Sequence, residues 1–136
     1  MKTLVSKKDA TSSSSIKQVV DVNGYPIYFD GPKIIGGADE APNPHAYLNA
    51  AVAACKAITI RLVAKRRKIA LQDVNVTLHC DDSEERKGRY VMNFDIQLIG
   101  DLTEKQRQML LSAAESCPVG KLLTEDVVVE LNSRLV

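Results

Sequence analysis

From Ile16 to Phe29 the chain alternates with a period of two. Ile16, Gln18, Val20 and Val22 fall on one side of an extended chain, with Lys17, Val19 and Asp21 between them. Asn23-Gly24 follows. It is the strongest two-residue hairpin signal, because both central positions of that turn take positive φ. The return strand sets Tyr25, Ile27 and Phe29 opposite Val22, Val20 and Gln18. Ahead of the hairpin, Lys2 to Ser6 fit a short strand, and the run Ser12 to Ser15 reads as a flexible loop. Residues 30 to 43, rich in Gly and Pro, form a connecting loop inside one domain.

The period then lengthens. Pro42 to Lys68 reads as one long helix, and the rest of the chain is organised around it. Asn43 suits the N-cap and Pro44 the first helical position, where a missing N–H costs nothing. Leu48, Ala51, Cys55, Ile58 and Leu62 recur at spacings of three and four and predict the inward face. Arg61 and the run Lys65 to Lys68 gather at the end, where cations complement the helix dipole.

Alternation returns at Val74, Val76, Leu78 and Cys80, and again at Tyr90, Met92, Phe94, Ile96 and Leu98, predicting an antiparallel pair. Thr103 with Gln106 three residues on fits a capping box. Met109, Leu110, Ala113 and Ala114 give a second helix an apolar face. Ser116 to Leu123 predicts a further short helix capped by Ser116, and Val127, Val129 and Leu131 a last strand. The order is α+β with mainly antiparallel pairing, in a single domain over residues 1–136.

Composition narrows the class. A formal net charge of +1 argues against a dedicated nucleic-acid or membrane-surface binder. No apolar run approaches the roughly 20 residues of a membrane span, so none is expected. The start, MKTLVSKKDA, lacks a signal-peptide core, so the expectation is a cytoplasmic protein. Three cysteines do not make a disulfide framework, and in a reducing compartment they are free thiols, buried or reactive.

Cys117 precedes Pro118 at a predicted helix start, where backbone N–H groups favour thiolate. Cys55 at mid-helix and Cys80 on a strand face read, from the residues alone, as small buried hydrophobes. Lys65 to Lys68 read as a solvated helix end, and His45 alone as a surface residue. His79 and Cys80 point to opposite faces of a strand, and no C-x-x-C or H-x-x-x-H spacing occurs, so no metal or other cofactor is expected.

Two segments together resemble the OsmC/Ohr family, the osmotically inducible and organic-hydroperoxide-resistance proteins. GPKIIGGADEAPNPHAYLNAAVAACKAITIRLVAKRRKIALQDVNV is similar to the family's Gly-rich loop, Pro-led helix, Ala-rich approach to a cysteine, and following strand. LTEKQRQMLLSAAESCPVGKLL resembles its second cysteine followed by Pro-Val. The resemblance implies antiparallel sheets wrapped around a central helix, in an intertwined homodimer with sites where the subunits meet. It also implies thiol chemistry: Cys55 attacks an organic hydroperoxide, Cys117 resolves the product as a disulfide, and an external dithiol reduces that disulfide.

The peroxidase members carry an arginine in the N-terminal sheet region and a glutamate at the start of the long helix. Here no arginine precedes Arg61, and His45 stands ten residues before Cys55 at the glutamate position. Lys17, Lys33 or an Arg61 from the other subunit are the candidate cations, and His45 the candidate polar partner. Lysine lacks arginine's planar fork, so the exchange is not conservative. The alternative is a non-peroxidase member that binds a small apolar or electrophilic molecule at the dimer interface.

Overall fold

The computed structural model describes residues 2–124 and 127–136. The chain forms two compact units, Met1–Leu48 and Asn49–Val136, and the long helix runs from the first into the second.

In the N-terminal unit, β1 (Val5–Lys8), β2 (Gln18–Val22) and β3 (Tyr25–Phe29) form an antiparallel sheet in that order. Asn23 and Gly24 take φ of 54° and 87°, as the hairpin turn demands. The register pairs Val22 with Tyr25, Val20 with Ile27 and Gln18 with Phe29, as the alternation predicts. The first strand begins later than expected, at Val5, because its ladder to β2 runs only from Val5 to Lys8.

The serine run is not a free loop. Ser14 Oγ donates to Asp30 Oδ1 at 2.6 Å, Ser12 Oγ to Glu40 at 2.8 Å and Ser15 Oγ to the Gly36 carbonyl at 2.9 Å. The cause is Asp30, only 4% exposed at the end of β3. A carboxylate withdrawn from water needs donors. The amides of Ala38 and Glu40 supply two more at 3.1 Å, which folds the 30–43 loop, with a 3-10 turn at Lys33–Ile35, back onto the serines. Gly37 is required there: a Cβ would overlap the Gly31 carbonyl.

The long helix α1 spans Pro44–Arg66. Asn43 Oδ1 accepts the Ala46 amide at 2.9 Å, the expected cap. Its buried face is not the expected one. Val52, Lys56, Ile60 and Ala64 point inward, while Leu48, Ile58 and Leu62 are 39%, 55% and 60% exposed. The helix is apolar on nearly every side, so spacing alone does not select a face. By length and composition α1 also meets the requirement for crossing a membrane, unlike the expectation. The buried Val52, Ile60 and Ala64 account for only part of that apolarity, since 17% of the stretch is buried within the chain.

There, β4 (Leu71–Asp81) pairs antiparallel with β5 (Val91–Gly100), Val76 opposite Ile96 and Leu78 opposite Phe94. Ile60 and Ala64 of α1, Val74 of β4, and Leu110 and Ala114 of α2 (Glu104–Glu115) make the buried core. The Thr103–Gln106 capping box forms in both directions. Partly buried Leu71, Val76, Ile96 and Leu98 extend this core toward one end of the ribbon. Cys80 lies toward the other end and is exposed, which corrects its reading as a buried strand residue.

Two further expectations change. The short helix α3 (Pro118–Leu122) is capped by Cys117, with Pro118 at its first position, and Ser116 instead ends α2. Residues 127–136 form no strand, and Val128 and Leu131 are 87% and 91% exposed. Alternation makes a strand only where a neighbour completes its hydrogen bonds, and among the described residues none pairs with the tail.

Candidate functional site

Cys55 sits half-buried in the middle of α1, and its carbonyl accepts the Thr59 hydroxyl at 2.8 Å. Cys117 is fully buried between α2 and α3. Its amide reaches the Ala114 carbonyl at 3.4 Å, and its own carbonyl receives the Lys121 amide at 3.2 Å. The α3 backbone closes tightly over the sulfur: a Cβ on Gly120 would stand 2.7 Å from Cys117 Sγ. The two thiols and the exposed Cys80 are all free.

The residue that links these two segments was not singled out by the sequence. Lys56 follows Cys55 on the buried face of α1, and its Nζ donates to the Ala114 carbonyl at 3.0 Å. Glu115 Oε1 lies 3.7 Å away, and the Phe94 ring centroid 4.8 Å away. A buried lysine needs such company: an acceptor, a nearby carboxylate, and an aromatic face. The ammonium also sits at the C-terminal end of α2, where the helix dipole attracts a cation. The signal was present as the one charge in the apolar stretch 46–60 of the helix, but a lysine there also reads as a solvent-facing position.

The other candidates divide between the units. Lys17 is held by two carboxylates, Glu40 at 2.8 Å and Asp9 at 3.2 Å, and lies over the Tyr28 ring. Its pKa is raised, first by the Glu40 hydrogen bond, and that of Glu40 is lowered by the same contact. Lys33 is exposed in its 3-10 turn. Arg61 pairs with Asp73 of β4, whose pKa is lowered by the Val74 amide and then by the guanidinium. Both partners are about half exposed, so the pair adds little stability.

His45 is exposed in the first turn of α1, ten residues before Cys55, or about 15 Å of helical rise. It borders a cavity of about 320 Å³ in the N-terminal unit, with Ile16, Phe29, Pro32, Ile35 and Pro44 around it. Asp30 also lines this cavity. Burial works to raise its pKa, but the hydrogen bonds from Ser14, Gly31, Glu40 and Ala38 prevail and hold it at about 2. It is therefore a fixed anion at neutral pH. Among the described residues, no group of three or more His, Cys, Asp or Glu side chains could hold a metal ion.

A buried thiol and a half-buried one, on an α+β frame of antiparallel sheets and a long helix, define a class. The model of the OsmC-like protein family matches residues 37–132, and the chain belongs to that family. Solved structures share the fold. An organic hydroperoxide resistance protein OsmC from Legionella pneumophila is 23% identical, with 93% of this chain and 92% of that one covered at a TM-score of 0.60. An organic hydroperoxide resistance protein from Elizabethkingia anophelis is 21% identical, covering 93% and 91%, also at 0.60. An OsmC-like protein from Mycoplasma pneumoniae is 16% identical, covering 89% and 85%, at 0.70. No curated protein matches the chain.

Proposed function

We propose that this protein is a thiol peroxidase for small organic hydroperoxides, a cytoplasmic homodimer acting in the oxidative stress response. Cys55 is the nucleophile, Cys117 the resolving thiol, and an external dithiol the reductant. The observation that carries this reading is the link from Lys56, next to Cys55, to the carbonyl that also receives the Cys117 amide. It ties together the two segments that carry the thiols. The names of the Legionella and Elizabethkingia relatives support the substrate class.

In the first step the Cys55 thiolate attacks one peroxide oxygen. The O–O bond breaks, the sulfur takes the terminal OH and, oxidised by two electrons, becomes a sulfenic acid, and the alkoxide leaves as the alcohol with the proton the thiol gave up on ionising. The Cys117 thiolate then attacks that sulfur, an S–S bond forms, and the S–O bond breaks as water leaves. The external dithiol opens the disulfide through a mixed disulfide, is itself oxidised, and returns both thiols.

The dimer supplies what one chain lacks. Leu48, Ile58 and Leu62 leave an apolar stripe uncovered on the same side of α1 as Cys55, and the tail from Val127 carries exposed apolar residues without a sheet. A second copy would cover the stripe and pair the tail. In that arrangement Arg61 of the partner is the candidate cation for the Cys55 thiolate. The cavity at Ile16, Phe29 and His45 favours a second reading, in which the protein binds a small apolar or electrophilic molecule without turning over peroxide.

The experiment is direct trapping. Cys117→Ser protein given one equivalent of cumene hydroperoxide should hold a sulfenic acid at Cys55 that a dimedone probe labels. An unlabelled Cys55 would remove the peroxidase and leave the binding module.

A further inference from the structure

We infer that Lys56 is the positioning residue of the thiol pair: its ammonium sets how readily Cys117 closes onto Cys55, not how fast Cys55 meets peroxide. The inference rests on the thiol-pair reading above.

Three contacts converge on one oxygen. The Ala114 carbonyl accepts Lys56 Nζ at 3.0 Å and the Cys117 amide at 3.4 Å, and the Ser116 amide also turns back onto it. That oxygen closes α2 and starts the bend that carries Cys117 into its cap position on α3. Lys56 belongs to the same helical turn of α1 as Cys55, so the ammonium bonds the turn bearing one thiol to the peptide that orients the other. The Phe94 ring under Nζ and the nearby Glu115 carboxylate keep the side chain extended toward α2.

Resolution of the sulfenic acid is a ring closure, and its rate and equilibrium depend on how well the two sulfurs are held for reaction. A tether between their backbones raises the effective concentration of one thiol at the other. Attack on peroxide involves only Cys55 and its surroundings, so it does not use the tether. Losing the ammonium separates the two steps, which general destabilisation of the unit would not do.

The test uses Cys80→Ser protein, so that only the two thiols react, and compares it with added Lys56→Met, Lys56→Arg and Glu115→Gln. Equilibration with reduced and oxidised glutathione reads the disulfide directly: the pair loses two electrons and two protons to oxidised glutathione, giving two reduced glutathiones. We expect Lys56→Met to lower the equilibrium constant for the Cys55–Cys117 disulfide about tenfold, a potential about 30 mV less reducing. Lys56→Arg, which still donates to the carbonyl, should restore most of it, and Glu115→Gln should change it less than twofold. With cumene hydroperoxide, Lys56→Met should form sulfenic acid at the parent rate and close it about tenfold more slowly.

Equal disulfide constants in the parent and a folded Lys56→Met overturn the proposal. So does a parent protein that forms no Cys55–Cys117 disulfide in oxidised glutathione. If Lys56→Met does not fold, the arginine variant decides: a parent-like constant supports the tether and a tenfold loss contradicts it. A disulfide that forms with glutathione but not with hydroperoxide would sink the peroxidase reading alone.

Discussion

Asp30 and Lys56 are both charges withdrawn from water, 4% and 6% exposed, and the protein treats them in opposite ways. Asp30 gathers donors from its own neighbourhood: the Ser14 hydroxyl and the amides of Ala38 and Glu40. Lys56 finds its acceptor 58 residues along the chain, on another helix. The first charge organises a loop and is then used up. The second connects two elements that each present a thiol. A buried charge with local partners is therefore read as architecture, and one with distant partners as a device for relative placement.

The largest expected effect breaks the first half of this contrast. Asp30→Ala removes the hub and leaves a hydroxyl and two amides without an acceptor, so the melting midpoint should fall by on the order of 10 °C. A shift within 2 °C in a thermal scan would show that the loop does not depend on the carboxylate. The same group gives the contrast a pH signature. Its folded pKa of about 2 lies below the ordinary 3.8, so its contribution is complete above about pH 4 and is lost as pH falls toward 2. Urea midpoints should decline through that window, and Asp30→Asn should flatten the decline.

Gly120→Ala probes the other half. The added methyl would stand 2.7 Å from the buried Cys117 sulfur, so the sulfur or α3 must shift. We expect disulfide closure after peroxide to slow about tenfold, equivalent to about 1.4 kcal/mol, with the melting midpoint little changed because alanine suits a helix better than glycine. Parent-like closure in stopped-flow would mean the sulfur is not confined there. The smallest effect belongs to neither charge. Asn43→Ala removes the cap of α1 and should cost about 1 kcal/mol in urea unfolding, without altering the glutathione equilibrium.

Local chemistry was legible in the sequence. The Asn23-Gly24 hairpin and its register, the Asn43 cap, the Thr103–Gln106 box and the β4–β5 pairing each depend on a few neighbouring residues, and all form as expected. What depended on distant partners was not legible. The inward face of α1 is chosen by what packs on it, so a helix apolar on most sides gave the wrong stripe. The serine run looked flexible because Asp30, its acceptor, lies on the far side of a hairpin. Cys55 and Cys117 were visible through their family motifs, whereas Lys56, which joins their segments, has its meaning only from Ala114. The tail from Val127 alternates like a strand but has no strand partner among the described residues.

The most direct test of the thiol pair is a count. Reduced protein carrying Cys80→Ser, titrated with cumene hydroperoxide, should lose two thiols per chain at one equivalent, with Cys55 and Cys117 recovered in a single disulfide-linked peptide. Adding Cys55→Ser should abolish the loss. Two thiols surviving several equivalents of hydroperoxide, or a loss unaffected by Cys55→Ser, would contradict the account.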